Sequence, residues 1–205
     1  MKLKHYLGVA LVALMVSGLS GCLKSTPIEP PKPVAYMAVI NTSFRAPAVE
    51  MLFGTEKKTP PINPGAYFNR YSTIDPGPIS VTFKKAGADS LVAGLPAGDY
   101  YDSSTFSTLL VYDNPSGTGA LAARISDQFP KLDASRAFIR FWQLSNDAQN
   151  VDLYLESTKV FPMRSPADNI TNPSYNAFQP YTAGNYSLKA KVAGTDSTLA
   201  TTTVS

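Results

Sequence analysis

AFIRFWQLSNDAQNVDLYLE, residues 137–156, decides how this chain is read, because an earlier version of it stands at residues 35–54 as AYMAVINTSFRAPAVEMLFG. Ala35 maps on Ala137, Ser43 on Ser145, Ala46 on Ala148 and Val49 on Val151, each pair 102 positions apart. Further along, AGADS at 86–90 recurs as AGTDS at 193–197, now 107 positions apart, so the loop between gains about five residues. A constant register over gapless blocks is what duplication of a folding unit leaves behind. The spacing therefore predicts two copies of one domain in tandem.

Within the copies, apolar residues alternate with polar ones at period two, the pattern of half-buried strands. In copy one, residues 35–129, Val49, Met51 and Phe53 oppose Glu50 and Leu52, while Ile79, Val81 and Phe83 oppose Ser80, Thr82 and Lys84. The dipeptides of Asp75-Pro76-Gly77-Pro78 mark a turn. Seven short strands with turns every ten residues or so, and no helical period, predict an all-β antiparallel sandwich of about a hundred residues. Residues 114–119, NPSGTG, carry two glycines but lack a Gly-Lys-Ser/Thr ending and lie between strands, so they read as a turn and not a phosphate loop. Residues 130–136 are the linker. In copy two, residues 137–205, Val151, Leu153 and Leu155 alternate with Asp152, Tyr154 and Glu156, and Tyr186, Leu188, Ala190 and Val192 repeat the pattern.

Ser205 corresponds to about Gly98, so copy two ends before any equivalent of residues 100–125, the last two strands. A sandwich without them is expected to leave apolar surface and a strand edge open. Two explanations fit: a chain cut short, which suits an end inside an apparent strand, or completion by a strand from a partner, as in donor-strand pili.

Residues 1–21 have the form of a targeting segment, with Lys2 and Lys4 ahead of an apolar run at 7–16 that is too short to span a bilayer comfortably. Leu19-Ser20-Gly21-Cys22 resembles the bacterial lipobox, which implies cleavage between Gly21 and Cys22 and acylation of Cys22. Two or three acyl chains anchor a protein firmly where one binds only marginally. The expectation is a lipid-anchored protein of the bacterial cell envelope, with Leu23 after the cysteine leaning towards the outer membrane. Residues 22–34 then form a stalk, since prolines at 27, 30, 31 and 33 favour extended polyproline II and cannot build a core.

Removal of the leader leaves 16 basic residues (18 less Lys2 and Lys4) against 15 acidic, close to neutral, which gives a nucleic-acid partner no support. His5, the single histidine, goes with the leader, and Cys22 is the single cysteine. Histidine-dependent triads and the usual zinc or iron sites are thereby excluded from the processed chain, and no disulfide can form within it. No cofactor is expected, and the protein reads as a non-enzyme.

Two surfaces suggest themselves. With Ile139 and Phe141 as core, Phe138, Arg140 and Trp142 share the opposite face of one strand, and Asp152, Tyr154 and Glu156 share a face of the next. Should the two strands pair as a hairpin across 144–150, rings and charged groups combine in a face suited to a glycan or a surface protein. The competing reading buries this face under a loop or against copy one. Asp147, Asn150 and Asp152 could offer oxygens to calcium, but no full EF-type loop is present and a solvated turn accounts for them, so no metal is assigned. Asp89-Ser90-Leu91 and Asp196-Ser197-Thr198 resemble a short O-glycosylation motif of some bacterial envelopes, and a turn before a strand explains both equally well.

Residues 140–148, RFWQLSNDA, followed by Val151-Asp152-Leu153-Tyr154-Leu155, resemble the signature of an uncharacterised family, domain of unknown function 4397. Leu95-Pro96-Ala97-Gly98 with Tyr100 resembles its strand entry. Copy one departs from the signature, with Phe44-Arg45 where a polar residue and Asp are expected and Glu50-Met51-Leu52 where Asp, an aliphatic residue and Tyr are expected. The resemblance implies tandem domains in bacterial cell-envelope lipoproteins, similar to immunoglobulin-like or transthyretin-like sandwiches. It implies no catalytic residues.

Overall fold

β1 (Ala35–Asn41) and β9 (Phe106–Asp113) lie side by side at the centre of the N-terminal half, and both are buried on both faces. That double burial is why Leu109, Leu110, Val111 and Tyr112 of β9 follow one another as an apolar run instead of an alternation. The computed structural model describes residues 30–131, 133–166 and 172–205, so the leader, Gly21, Cys22 and most of the stalk lie outside the described residues. Pro33–Ser205 forms one compact unit. It is all-β apart from short turns, among them a 3-10 turn at Pro173–Asn176.

Two four-stranded sheets make the N-terminal half. One has the order β10 (Ala120–Asp127), β9, β1, β4 (Tyr67–Ile74), and the other β3 (Glu56–Lys57), β2 (Val49–Phe53), β6 (Val81–Lys85), β7 (Leu91–Gly94). A short ribbon pairs β5 (Gly77–Ile79) with β8 (Asp99–Tyr101). Between the sheets, Met37, Val39, Val49, Met51, Val81, Phe83, Leu109 and Val111 are all buried. Burial on that scale stabilises by about 1.5–3 kcal/mol for each large side chain.

The expectation of purely antiparallel pairing needs one correction, because β1 and β9 run parallel, Tyr36 beside Phe106 through Asn41 beside Val111. A parallel pair needs a long crossover connection, and here the route passes through the opposite sheet before β9 returns. The strand expected to run unbroken from Tyr100 also divides, into β8 and β9. Nor does β2 alternate cleanly, since Glu50 and Leu52 are nearly as buried as their neighbours.

The C-terminal half has a two-stranded sheet, β11 (Arg136–Ile139) with β14 (Gln179–Thr182), and a four-stranded one of order β13 (Thr158–Arg164), β12 (Val151–Leu155), β15 (Tyr186–Val192), β16 (Thr198–Val204). Its ladders repeat those of the first half at the offsets read from the sequence. Val49, Glu50 and Phe53 of β2 face Lys85, Lys84 and Val81 of β6, and Val151, Asp152 and Leu155 of β12 face Val192, Lys191 and Leu188 of β15. The ion pairs recur too, Glu50 with Lys57 as Asp152 with Lys159, and Lys84 with Asp89 as Lys191 with Asp196. The turns after β6 and β15 both pass through a glycine at positive φ, +71° at Gly87 and +75° at Gly194, where a side chain would be strained.

The halves differ in what covers them. Val81 and Phe83 lie under β9, whereas their counterparts Leu188 and Ala190 are only half-buried. Among the described residues β11 pairs with β14 alone.

Candidate functional site

The hairpin envisaged between the strands around Phe138 and Asp152 does not form. β11 pairs with β14, placing Phe138 opposite Pro180, while β12 belongs to the other sheet. Residues 140–150 are the crossing from one sheet to the other, so Phe138, Arg140 and Trp142 do not share a face with Asp152, Tyr154 and Glu156.

Arg140 turns instead onto the outer face of the first half. Its guanidinium donates to Asp127 of β10 and stacks between the rings of Trp142 and Phe178, 4.0 and 4.5 Å from their centroids. The same carboxylate accepts from the Tyr71 hydroxyl at 2.8 Å and from the Thr108 hydroxyl at 2.6 Å. Burial foremost, helped by the hydrogen bond to Asp127, pushes the Tyr71 phenol up to about 12. Trp142 packs on Leu110, Tyr112 and Ile125, and its indole N–H donates to Asn176 at 2.9 Å. The reading that buries this face against the first half thus accounts for Arg140 and much of Trp142.

Asp152 is also structural. Its carboxylate takes Lys159 at 2.6 Å, the Met163 N–H at 2.8 Å and the Gly194 N–H at 3.2 Å. Burial pushes this carboxyl up, but the lysine and the two N–H groups outweigh it and hold it below its ordinary range. Tyr154 has Lys191 and Lys159 over its ring, at 4.9 and 5.7 Å. Glu156 is exposed in the β12–β13 turn and accepts the Ser187 N–H. Asp147 accepts from the Ser145 hydroxyl. The 114–119 segment is a hairpin turn between β9 and β10, closed by the Asn114 N–H on the Gly119 carbonyl at 3.1 Å.

What does assemble is a cleft of about 440 Å³ between residues 42–45, Asp113 and residues 142–147, with the 114–119 turn bordering a separate, shallower depression that shares Arg45 and Asn146. Phe44 stands at its edge, 78% exposed, with Trp142 and Leu144 forming the apolar wall. Arg45 is fixed by its guanidinium on the Gly117 carbonyl and by its own N–H on Asp113 at 3.1 Å. Ser43 also donates to Asp113. Asn146 donates to the Asn114 carbonyl at 3.0 Å, and its buried side-chain oxygen has no hydrogen-bond partner among the described residues. An orphaned acceptor of this kind is costly unless a donor reaches it. Across the cleft Asp147 is held below the usual carboxylate range, by the Ser145 hydroxyl foremost and by the Arg45 charge in lesser part.

Of the six face residues expected from sequence, only Trp142 lines this cleft. Phe44, Arg45, Asp113 and Asn146 were missed as a group, yet one signal marked all of them but Asp113. Phe44-Arg45 and Asn146-Asp147 occupy matching positions 102 apart, and Phe44-Arg45 is the pair that departs from the signature. Comparison with curated proteins finds no match. The family described as a domain of unknown function, DUF4397, matches residues 35–154, more than half of the chain and reaching from β1 into β12, and the chain belongs to that family.

Proposed function

We propose that this is a lipid-anchored cell-envelope protein, two immunoglobulin-like sandwiches on a proline-rich stalk, which acts without catalysis by holding a glycan or a surface protein in the cleft between them. Cys22 carries the lipid in this reading, and the outer membrane is the favoured address. The recurring ladders and ion pairs support the tandem sandwich. The observation that carries the binding role is the cleft itself, where an exposed ring, an indole, a fixed arginine and an unpaired amide oxygen lie together. Aromatic faces stack on sugar rings, and amide and guanidinium groups read hydroxyls or carboxylates.

Glycan-array binding by the purified protein tests this reading. Phe44→Ala, Arg45→Ala and Asn146→Ala, all at the cleft wall and outside the main cores, are expected each to weaken binding about tenfold or more, the order of a lost interface anchor. Wild-type binding by all three would remove the cleft from the proposal. Palmitate labelling that is abolished in Cys22→Ala supports the anchor, and an unlabelled wild type refutes it.

A second reading rests on the uncovered Leu188 and Ala190 face and on the unpaired edge of β11. A strand donated by another molecule, parallel to β11 as β9 is to β1, would cover both. Concentration-dependent oligomers in size exclusion support it, and a monomer at all concentrations favours the binding module.

A further inference from the structure

A cavity of about 750 Å³ lies away from the junction, between the two sheets of the N-terminal half. That is within the roughly 300–1,000 Å³ of small-molecule sites. Its floor is Met37, Val39 and Met51, all nearly inaccessible to water, with Phe68, Phe53 and Ile79 as walls.

The cavity has a cause in the chain. β4 is out of register with β1 between Met37 and Val39, and Asn69 there adopts φ +49°, so the strand bulges away from the core. On the opposite side Gly77–Ile79 pairs with β8 and not with either main sheet. Neither sheet therefore fills this end.

We propose that this slot binds a single linear alkyl or acyl chain bearing an anionic head. The space is bounded by two sheets, which lie about 10 Å apart backbone to backbone, so it admits something narrow and long. Two methionines in the floor adapt their shape to such a chain. At the rim Lys58 sits 5.4 Å from the centre of the Phe53 ring, and its ion-pair partner Glu56 is largely exposed. Exposed pairs of that kind contribute little, so a ligand carboxylate can replace Glu56 with small loss. The remaining polar lining is Ser72, Thr73, Asp75 and Ser80, so among the described residues Lys58 is the single cation of the lining and the head is expected on its side, away from Asp75.

The test is titration of the full-length protein with 11-(dansylamino)undecanoic acid, followed by displacement with palmitate. Saturable emission at one probe per chain is expected. Ile79→Arg, which places a charge in the wall, should weaken it at least tenfold when titrated well below the variant's own melting temperature. Lys58→Glu, which reverses the charge at the rim, should weaken the acid several-fold and leave the corresponding alcohol unaffected. Phe44→Ala should bind the probe normally, so failure of the junction cleft and failure of this slot are told apart. Displacement by monomeric palmitate alone identifies a free fatty acid as the occupant, and displacement also by phosphatidylglycerol vesicles identifies lipid tails. Absence of saturable binding, or equal binding by wild type, Ile79→Arg and Lys58→Glu, overturns the proposal.

Discussion

Asp127 and Arg140 are the residues on which the contact between the two halves turns. The Asp127 side chain is wholly inaccessible and that of Arg140 is 9% exposed, so each is an expensive charge without the other. Asp127→Ala is expected to cost about 3–5 kcal/mol, the usual penalty for stranding one partner of a buried pair, measurable by urea denaturation. Tyr101 is the opposite case. Its ring is fully buried but its hydroxyl has no partner among the described residues, so Tyr101→Phe should be neutral or stabilise by about 1 kcal/mol. A destabilisation of that size would mean that the hydroxyl is bonded after all. At this scale the sequence was only half legible. Trp142 stood out as the single tryptophan, but which way it faced depended on a sheet crossing that alternation cannot register.

The strands were the most legible elements, and for a physical reason. β6 alternates because one of its faces lies in a core, β2, β12 and β15 carry the same period in their sequences, and the duplication doubles every such signal. β9 and β1 were harder, since a strand buried on both faces loses its alternation. The pairing of β11 with β14, about 40 residues on, is non-local and left no mark that would distinguish it from a hairpin with β12. The turns after β6 and β15 offer a matched experiment on the repeat. Gly87→Ala and Gly194→Ala both force a Cβ into left-handed backbone in otherwise open space, and each should cost roughly 1–2 kcal/mol. A much larger loss at one site than at the other, in denaturation curves, would show that the two turns are not equivalent in energy.

For the molecule as a whole, stability should follow a plateau with two edges. No histidine lies among the described residues, so little titrates between the carboxylates and the phenols. In acid, Asp152 has a folded-state value below its unfolded one, so its contribution is complete at neutral pH and is lost as the pH falls through the folded value. In alkali the sign reverses. Burial foremost pushes Tyr71 and Tyr101 up to about 12, so the fold keeps protons that the unfolded chain releases near 10, and stability declines from about pH 10 to 12. Thermal melts across pH should show both edges, with the acid one shallower in Asp152→Asn and the alkaline one shallower in Tyr101→Phe. A melting temperature that changes steadily between pH 6 and 9 would contradict the scheme.

The parallel neighbour of β1 has a mechanical meaning. Any tension transmitted along the chain from residues before Ala35 arrives at the first residue of β1, between β9 on one flank and β4 on the other. Phe106 of β9 lies beside both Tyr36 and Asp127, so the chain leaves this sheet at the end where it entered, and a pull between those two points loads the cross-strand bonds one after another. A molecule tugged from its leading end against its trailing end should therefore open the N-terminal half stepwise, with no single sharp rupture for that half in a force-extension trace.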